Sequence, residues 1–250
     1  MSLIRRTLDP GFLTAVANHA QVRPHIGGEG PIELGPLIAD PANIAIEAEH
    51  GGWLLLRHEA GVFELHTLFL PEGRGEGYFE AAREALTFVF TASEAREIVT
   101  RIPASSRREA FAAARCGFVE RFTRARAFAG PRGLEAVFYR ALSLDAWMFA
   151  EPACGQAGRA FHAQLEAAKA AAGSEREAHP DDPAHDAAAG AAALMVRAGN
   201  AKKGVWAYNR WARLAGYQPI ALLSESPLLI DVGDGVVQVV NGKMEVALCR

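Results

Sequence analysis

The chain has 250 residues, half of them hydrophobic and 22% charged, which suits one large or two small globular domains. A formal net charge of −3 gives no electrostatic case for nucleic-acid binding, and no apolar run is long enough to span a bilayer. Cys116, Cys154 and Cys249 lack metal-ligand spacing, and the first six residues form no signal-peptide core. A soluble, cytoplasmic protein is expected, with no membrane partner, no nucleic-acid partner and no metal.

Residues 1–28 carry helix-compatible patterning after Asp9-Pro10, a suitable N-cap and first helical position. Residues 43–47 and 53–57 read as short strands separated by His50-Gly51-Gly52, a hairpin signal, and 62–70 as a third strand. Apolar spacing predicts a helix over 79–91 and a strand over 97–102 ending at Pro103. Ser105 or Ser106 can cap the next helix, with Glu109 placed for a capping box and Gly117 closing it. Residues 118–122 and 136–142 read as two further strands.

Composition shifts near residue 150. Residues 155–173 form an Ala-rich helical pattern, 173–183 a polar connection, and 186–198 and 201–215 two more helices. The tail alternates strand and turn over 220–224, 228–232, 236–240 and 244–248, with Gly233-Asp234-Gly235 and Asn241-Gly242 as turns. The domains expected are therefore 1–150 and a small α+β appendage, 151–250. The fold class is α+β, a mixed, mostly antiparallel sheet flanked by helices.

One stretch carries the functional reading: Glu64-Leu65-His66-Thr67-Leu68-Phe69-Leu70-Pro71-Glu72-Gly73-Arg74-Gly75-Glu76-Gly77-Tyr78. A strand feeding a glycine loop that opens a helix is an anion site, because glycines let backbone N–H groups approach and the helix adds its dipole. Glu64 and His66 are two apart on the strand, so their side chains share a face just before that loop. A raised Glu64 pKa or a neutral His66 would suit a general base; a polar pair at a strand's exposed end, or a hydrogen-bonded interior histidine, is the plainer alternative.

The strand–Pro–x–x–Arg–Gly–x–Gly–helix unit resembles motif A of the GNAT superfamily of N-acetyltransferases. Ser106…Ala113…Cys116-Gly117-Phe118 resembles that superfamily's motif B, whose helix ends in Gly-Phe. The resemblance covers roughly residues 1–142. It implies acetyl-CoA as cofactor and direct attack of a substrate amine, from a small molecule or a protein, on the thioester. It also implies that the backbone of Leu68 and Phe69 meets the pantetheine arm, and that Arg74, Gly75, Glu76, Gly77, Tyr78 and Phe79 hold the pyrophosphate, with Ser106 at the motif-B position.

Three residues depart from the family pattern. Phe79 stands where Gly or Ala is usual, Ser106 where Asn is common, and Ala113 where a tyrosine acid often sits. Tyr139, on a late strand, is the candidate replacement, with packing as the plainer reading. The alternative function is a GNAT-like domain without catalysis, acting as a binding or assembly module. Lys203-Gly204-Val205-Trp206-Ala207-Tyr208-Asn209-Arg210-Trp211-Ala212 resembles a module appended to GNAT-like proteins in bacteria and their prophages. The appendage is open to three roles: a lid, a substrate wall or the surface of a homodimer. Its aromatic–basic helix reads as amphipathic packing before nucleic-acid binding. The prolines and acids of 179–186 read as a linker before a metal site.

Overall fold

Apolar residues on successive short strands give this chain its first sheet, and two glycines let the strands close on one another. The computed structural model describes residues 3–26, 28, 30–130, 133–150, 190, 192–196, 199–214, 218–232, 236–240 and 243–247. The chain divides into two compact units, Met1–Leu144 and Asp145–Arg250.

The first unit is a mixed sheet of order β1-β2-β3-β4-β5-β7-β6, built from β1 (Ile4–Thr7), β2 (Ile44–Ala48), β3 (Gly51–Glu59), β4 (Val62–Phe69), β5 (Glu97–Pro103), β6 (Val119–Gly130) and β7 (Gly133–Ser143). Every pairing is antiparallel except β4 with β5. Its helices are α1 (Gly11–Asn18), α2 (Gly35–Ala39), α3 (Glu76–Ala92) and α4 (Arg107–Arg115), with α5 (Leu144–Ala150) at the boundary between the units. This is the mixed, mostly antiparallel sheet flanked by helices expected from the sequence.

The two faces are covered by different helices. Leu54 and Leu68, with Ala45, pack into a buried cluster with Leu13, Val16 and Ala17 of α1 and Ile38 of α2. Burying each large aliphatic side chain there stabilises the fold by about 1.5–3 kcal/mol. On the opposite face Tyr78 of α3 packs against Trp53 and Phe69, and Arg140 donates to the Ala110 carbonyl of α4 at 3.1 Å.

Several expectations are corrected. Gly51 and Gly52 are strand residues paired with Phe69 and Leu68, not turn residues. A Cβ on Gly52 would lie 2.0 Å from the Ile46 carbonyl oxygen, so the pair is there for close approach. β1 and α2 are additional elements. β1 is an edge strand with only Thr7 buried, so it lacks the alternation that marks a half-buried strand. β6 and β7 run well beyond 118–122 and 136–142 as a long hairpin. The capping box is absent. Ser106 makes no side-chain cap bond, and Glu135 instead accepts from the Ser105 amide and hydroxyl at 2.7 and 2.9 Å. Pro10 takes the N-cap position of α1, while Asp9 still accepts from the Gly11 amide at 2.9 Å.

The second unit contains an antiparallel sheet of order β11-β10-β9-β8: β8 (Ala221–Glu225), β9 (Leu228–Asp231), β10 (Val236–Val240) and β11 (Lys243–Ala247). Helix α6 (Ala201–Leu214) places Val205, Tyr208 and Ala212 in its core with Ile220, Ile230 and Val237. Tyr208 is 1% exposed, so it packs as expected for an amphipathic helix. The 155–173 helix, the 173–183 connection, the 179–186 acidic run and both tail turns lie outside the described residues. No described helix is long and apolar enough to cross a membrane.

Candidate active site

The decisive feature is a fork between two parallel strands. β4 pairs with β5 only through Val62, Phe63 and Glu64, whereas β5 stays paired with β7 as far as Pro103. Beyond Glu64 the strands part, and the Thr100 hydroxyl donates to the Leu65 carbonyl at 3.2 Å at the crotch. The Phe69 carbonyl accepts from Arg74 Nε and Nη2 at 3.3 and 3.0 Å. With Leu65 and Phe69 facing the gap, the two-residue period of a strand puts the backbone groups of Thr67 there as well. Leu68 faces the other way: its carbonyl oxygen abuts Gly51 of β3.

The gap opens into a cavity of about 790 Å³ lined by β4, β5, the inner side of α3 and the start of α4. At one end stands the N-terminus of α3, for which Gly75 supplies no side-chain cap. A Cβ on Gly75 or Gly77 would meet nothing within 4 Å, so space lies open beside both. Glu76 holds Arg115 in a two-pronged pair at 2.8 and 2.9 Å. The Arg115 guanidinium in turn lies 4.0 Å above the Phe79 ring. Phe79 and Ser106 line the cavity, as do Arg74, Arg107 and Arg108.

Tyr78 sits with Trp53 and Phe69, its ring 5.7 and 5.0 Å from theirs. Burial pushes its hydroxyl up to about 12, the nearby Cys116 adding to the shift and hydrogen bonds with Trp53 and Thr67 opposing it. The phenol stays protonated.

Glu64, His66, Arg101 and Tyr139 share one face. Glu64 pairs in register with Val99, two before Arg101, and Arg101 lies opposite Tyr139. The Glu64 side chain is 5% exposed; His58 Nε2 lies 2.5 Å from Oε2, and Arg101 Nε and Nη2 lie 2.5 Å from Oε1. His58 lies two residues beyond Leu56, the cross-strand partner of Glu64, where a bulge interrupts the register after Arg57. Burial raises the Glu64 pKa, but the bonds from His58 and Arg101, with the charges of His66 and Arg101, outweigh it and hold the carboxyl below its ordinary value. The expectation of a raised Glu64 pKa is therefore corrected: the group is a fixed anion, unsuited to taking protons.

His66 has the properties of a base. Burial lowers its pKa, against the pull of Glu64 and with help from Arg101 and His58, so the ring is neutral near pH 7. Nε2 is enclosed, 3.4 Å from Glu64 Oε1 and without an aligned hydrogen bond. The carboxylate favours the tautomer with its proton on Nε2, leaving Nδ1 as the accepting nitrogen. Tyr139 lines the same cavity, its ring stacked on Phe122 at 4.3 Å and 14°.

Arg101, His58 and Thr67 are the site residues that sequence reasoning missed. Arg101 has a weak signal, a charge between the apolar Val99 and Ile102 of a strand; the other two have none without the fork and the β3–β4 pairing.

Glu64 also makes a stability prediction. Because its folded pKa lies below the ordinary 4.5, its contribution is complete above that pH and is lost as pH falls through the folded value. Glu64→Gln is expected to cost about 1–2 kcal/mol at pH 7, with the gap from the native protein closing below pH 4.5. Urea unfolding at a series of pH values measures this; a gap that persists unchanged into acid would contradict it.

No family model and no curated protein sequence matches the chain. Solved structures do. A point variant of the spermidine N-acetyltransferase SpeG from Vibrio cholerae aligns with TM-score 0.50 and 18% identity, covering 58% of this chain and 96% of that one. The spermidine N-acetyltransferase from Vibrio cholerae in complex with CoA and spermine aligns with TM-score 0.50 and 18% identity, covering 59% and 99%. The chain thus contains the GNAT fold.

Proposed function

We propose that the chain is an acetyl-CoA-dependent N-acetyltransferase acting on an amine. The observation that carries this reading is the β4/β5 fork opening directly onto the uncapped, glycine-flanked start of α3. A fold neighbour that binds CoA and spermine supports it.

The residues present fit the cofactor. The space beside Gly75 and Gly77 lets backbone amides from Arg74 to Phe79 approach a diphosphate, and Arg74 adds charge. The gap-facing backbone of Thr67 and Phe69 would hold the pantetheine arm. Acetyl-CoA bound there supplies an activated acetyl group as a thioester.

The protein's own groups then position and deprotonate the acceptor. An aliphatic ammonium must lose a proton before it can attack, and His66 Nδ1 takes it, directly or through one water. The Glu64 charge, 3.4 Å from Nε2, steadies the imidazolium that forms. Tyr139 offers a hydroxyl donor on the same face. The test is release of free thiol from acetyl-CoA over a panel of primary amines, matched by N-acetylated product. Cofactor binding without turnover of any amine would favour the non-catalytic module instead.

Gly77 separates cofactor binding from folding. It lies in the first turn of α3 with open space beside it, so Gly77→Ala is expected to stabilise the fold by about 0.5–1 kcal/mol. The same methyl group would stand between amides and diphosphate, weakening acetyl-CoA binding about 10- to 100-fold. Thermal unfolding and calorimetry on one sample read both effects; equal affinity would remove Gly77 from the cofactor site.

A further inference from the structure

The acceptor side of the cavity offers a guanidinium and no free carboxylate among the described residues. Arg101, His25 and the neutral His66 line it, with His58 just behind, and the carboxylate on that sheet face, Glu64, has both oxygens occupied. The remaining acid among the described lining residues is Glu109, on α4 at the opposite face. No lining carboxylate on the described acceptor side is left to receive a second ammonium group. Arg101, by contrast, has a side chain 51% exposed, and its Nη1 makes no hydrogen bond among the described residues.

We infer that the acceptor amine carries its own anionic group, seated on Arg101, and belongs to the α-amino acid class, while polyamines are rejected. This rests on the acetyltransferase reading above. Both Arg101 Nη2 and His66 Nε2 contact the same oxygen, Glu64 Oε1, so the anion seat and the base are neighbours. An α-amino acid sets its amine and carboxylate one carbon apart, matching neighbouring seats. A guanidinium–carboxylate contact is among the stronger hydrogen bonds, whereas the second ammonium of a polyamine would meet no free carboxylate beside the Arg101–Glu64 pair.

The test compares each amino acid with the amine made by deleting its carboxylate, such as phenylalanine with phenethylamine, alongside spermidine. Phenylalanine is expected to exceed phenethylamine about 10- to 100-fold in kcat/KM, with spermidine below both. N-acetylphenylalanine should bind more tightly than N-acetylphenethylamine by a similar factor, read by calorimetry independently of turnover. Arg101→Gln should bring the ratio within each pair towards one, and Arg101→Lys should retain part of it. A ratio taken within one variant cancels any general loss of fold or rate. A ratio near one in the native protein, or spermidine as the better substrate, overturns the inference. If acetyl-CoA binds in a parallel titration, that failure is confined to the acceptor; if it does not bind, the acetyltransferase reading falls as well.

Discussion

Replacing His66 by alanine is expected to lower kcat/KM for acetyl transfer by about 10²–10³-fold, within the range for loss of a general base. Acetyl-CoA affinity should change by less than about twofold, because His66 projects on the Glu64 face and not towards the α3 glycine loop. The pH profile is the sharper readout. Burial holds the His66 pKa below its ordinary 6.5, so the unprotonated base persists as pH drops through that value. The acid limb of kcat/KM should therefore fall below pH 6.5 and disappear in the variant. An unchanged profile and rate in His66→Ala would take the residue out of the mechanism.

Gly52→Ala should cost about 3 kcal/mol or more, at the upper end for overpacking. The added carbon would lie 2.0 Å from the Ile46 carbonyl oxygen, 3.0 Å from Leu13 Cδ2 and 3.1 Å from Glu47 Cα. Two of these are backbone atoms of the paired strand, so relief requires opening the β2–β3 pairing. Gly75→Ala, with nothing within 4 Å, serves as the contrast and should change stability by less than about 1 kcal/mol. Urea midpoints compare the two directly. Equal, small losses at both positions would mean that β2 and β3 are not in the close register seen here.

These glycines show where the sequence is legible and where it misleads. Locally, His50-Gly51-Gly52 is a hairpin signal, and β2 and β3 do pair as a hairpin, but its turn is Glu49-His50 and the glycines lie in the strand. Only the pairing of Gly52 with both Glu47 and Leu68 shows that it serves close strand approach. The helix opened by the glycine loop, the strands at β2 to β5 and the closing Gly117 were readable because period and punctuation are properties of neighbouring residues. Gly117 does adopt φ +88, as a helix-ending glycine would.

The site was legible in part for the same reason. Glu64 and His66 share a face by simple alternation, but the charge state of Glu64 depends on Arg101, 37 residues away, and on His58 across the β3–β4 pairing. A parallel pairing that stops after three residues leaves no mark on either strand's sequence. The role of Ser105 likewise depends on Glu135, 30 residues away on β7, which accepts from its amide and hydroxyl.

The β4/β5 fork and the α3 glycine loop are proposed to form one cofactor site. Calorimetric titration of the full chain with acetyl-CoA tests it most directly. Saturable binding at one site is expected, with Kd of about micromolar, near −8 kcal/mol. Absence of any binding signal at millimolar acetyl-CoA would contradict it.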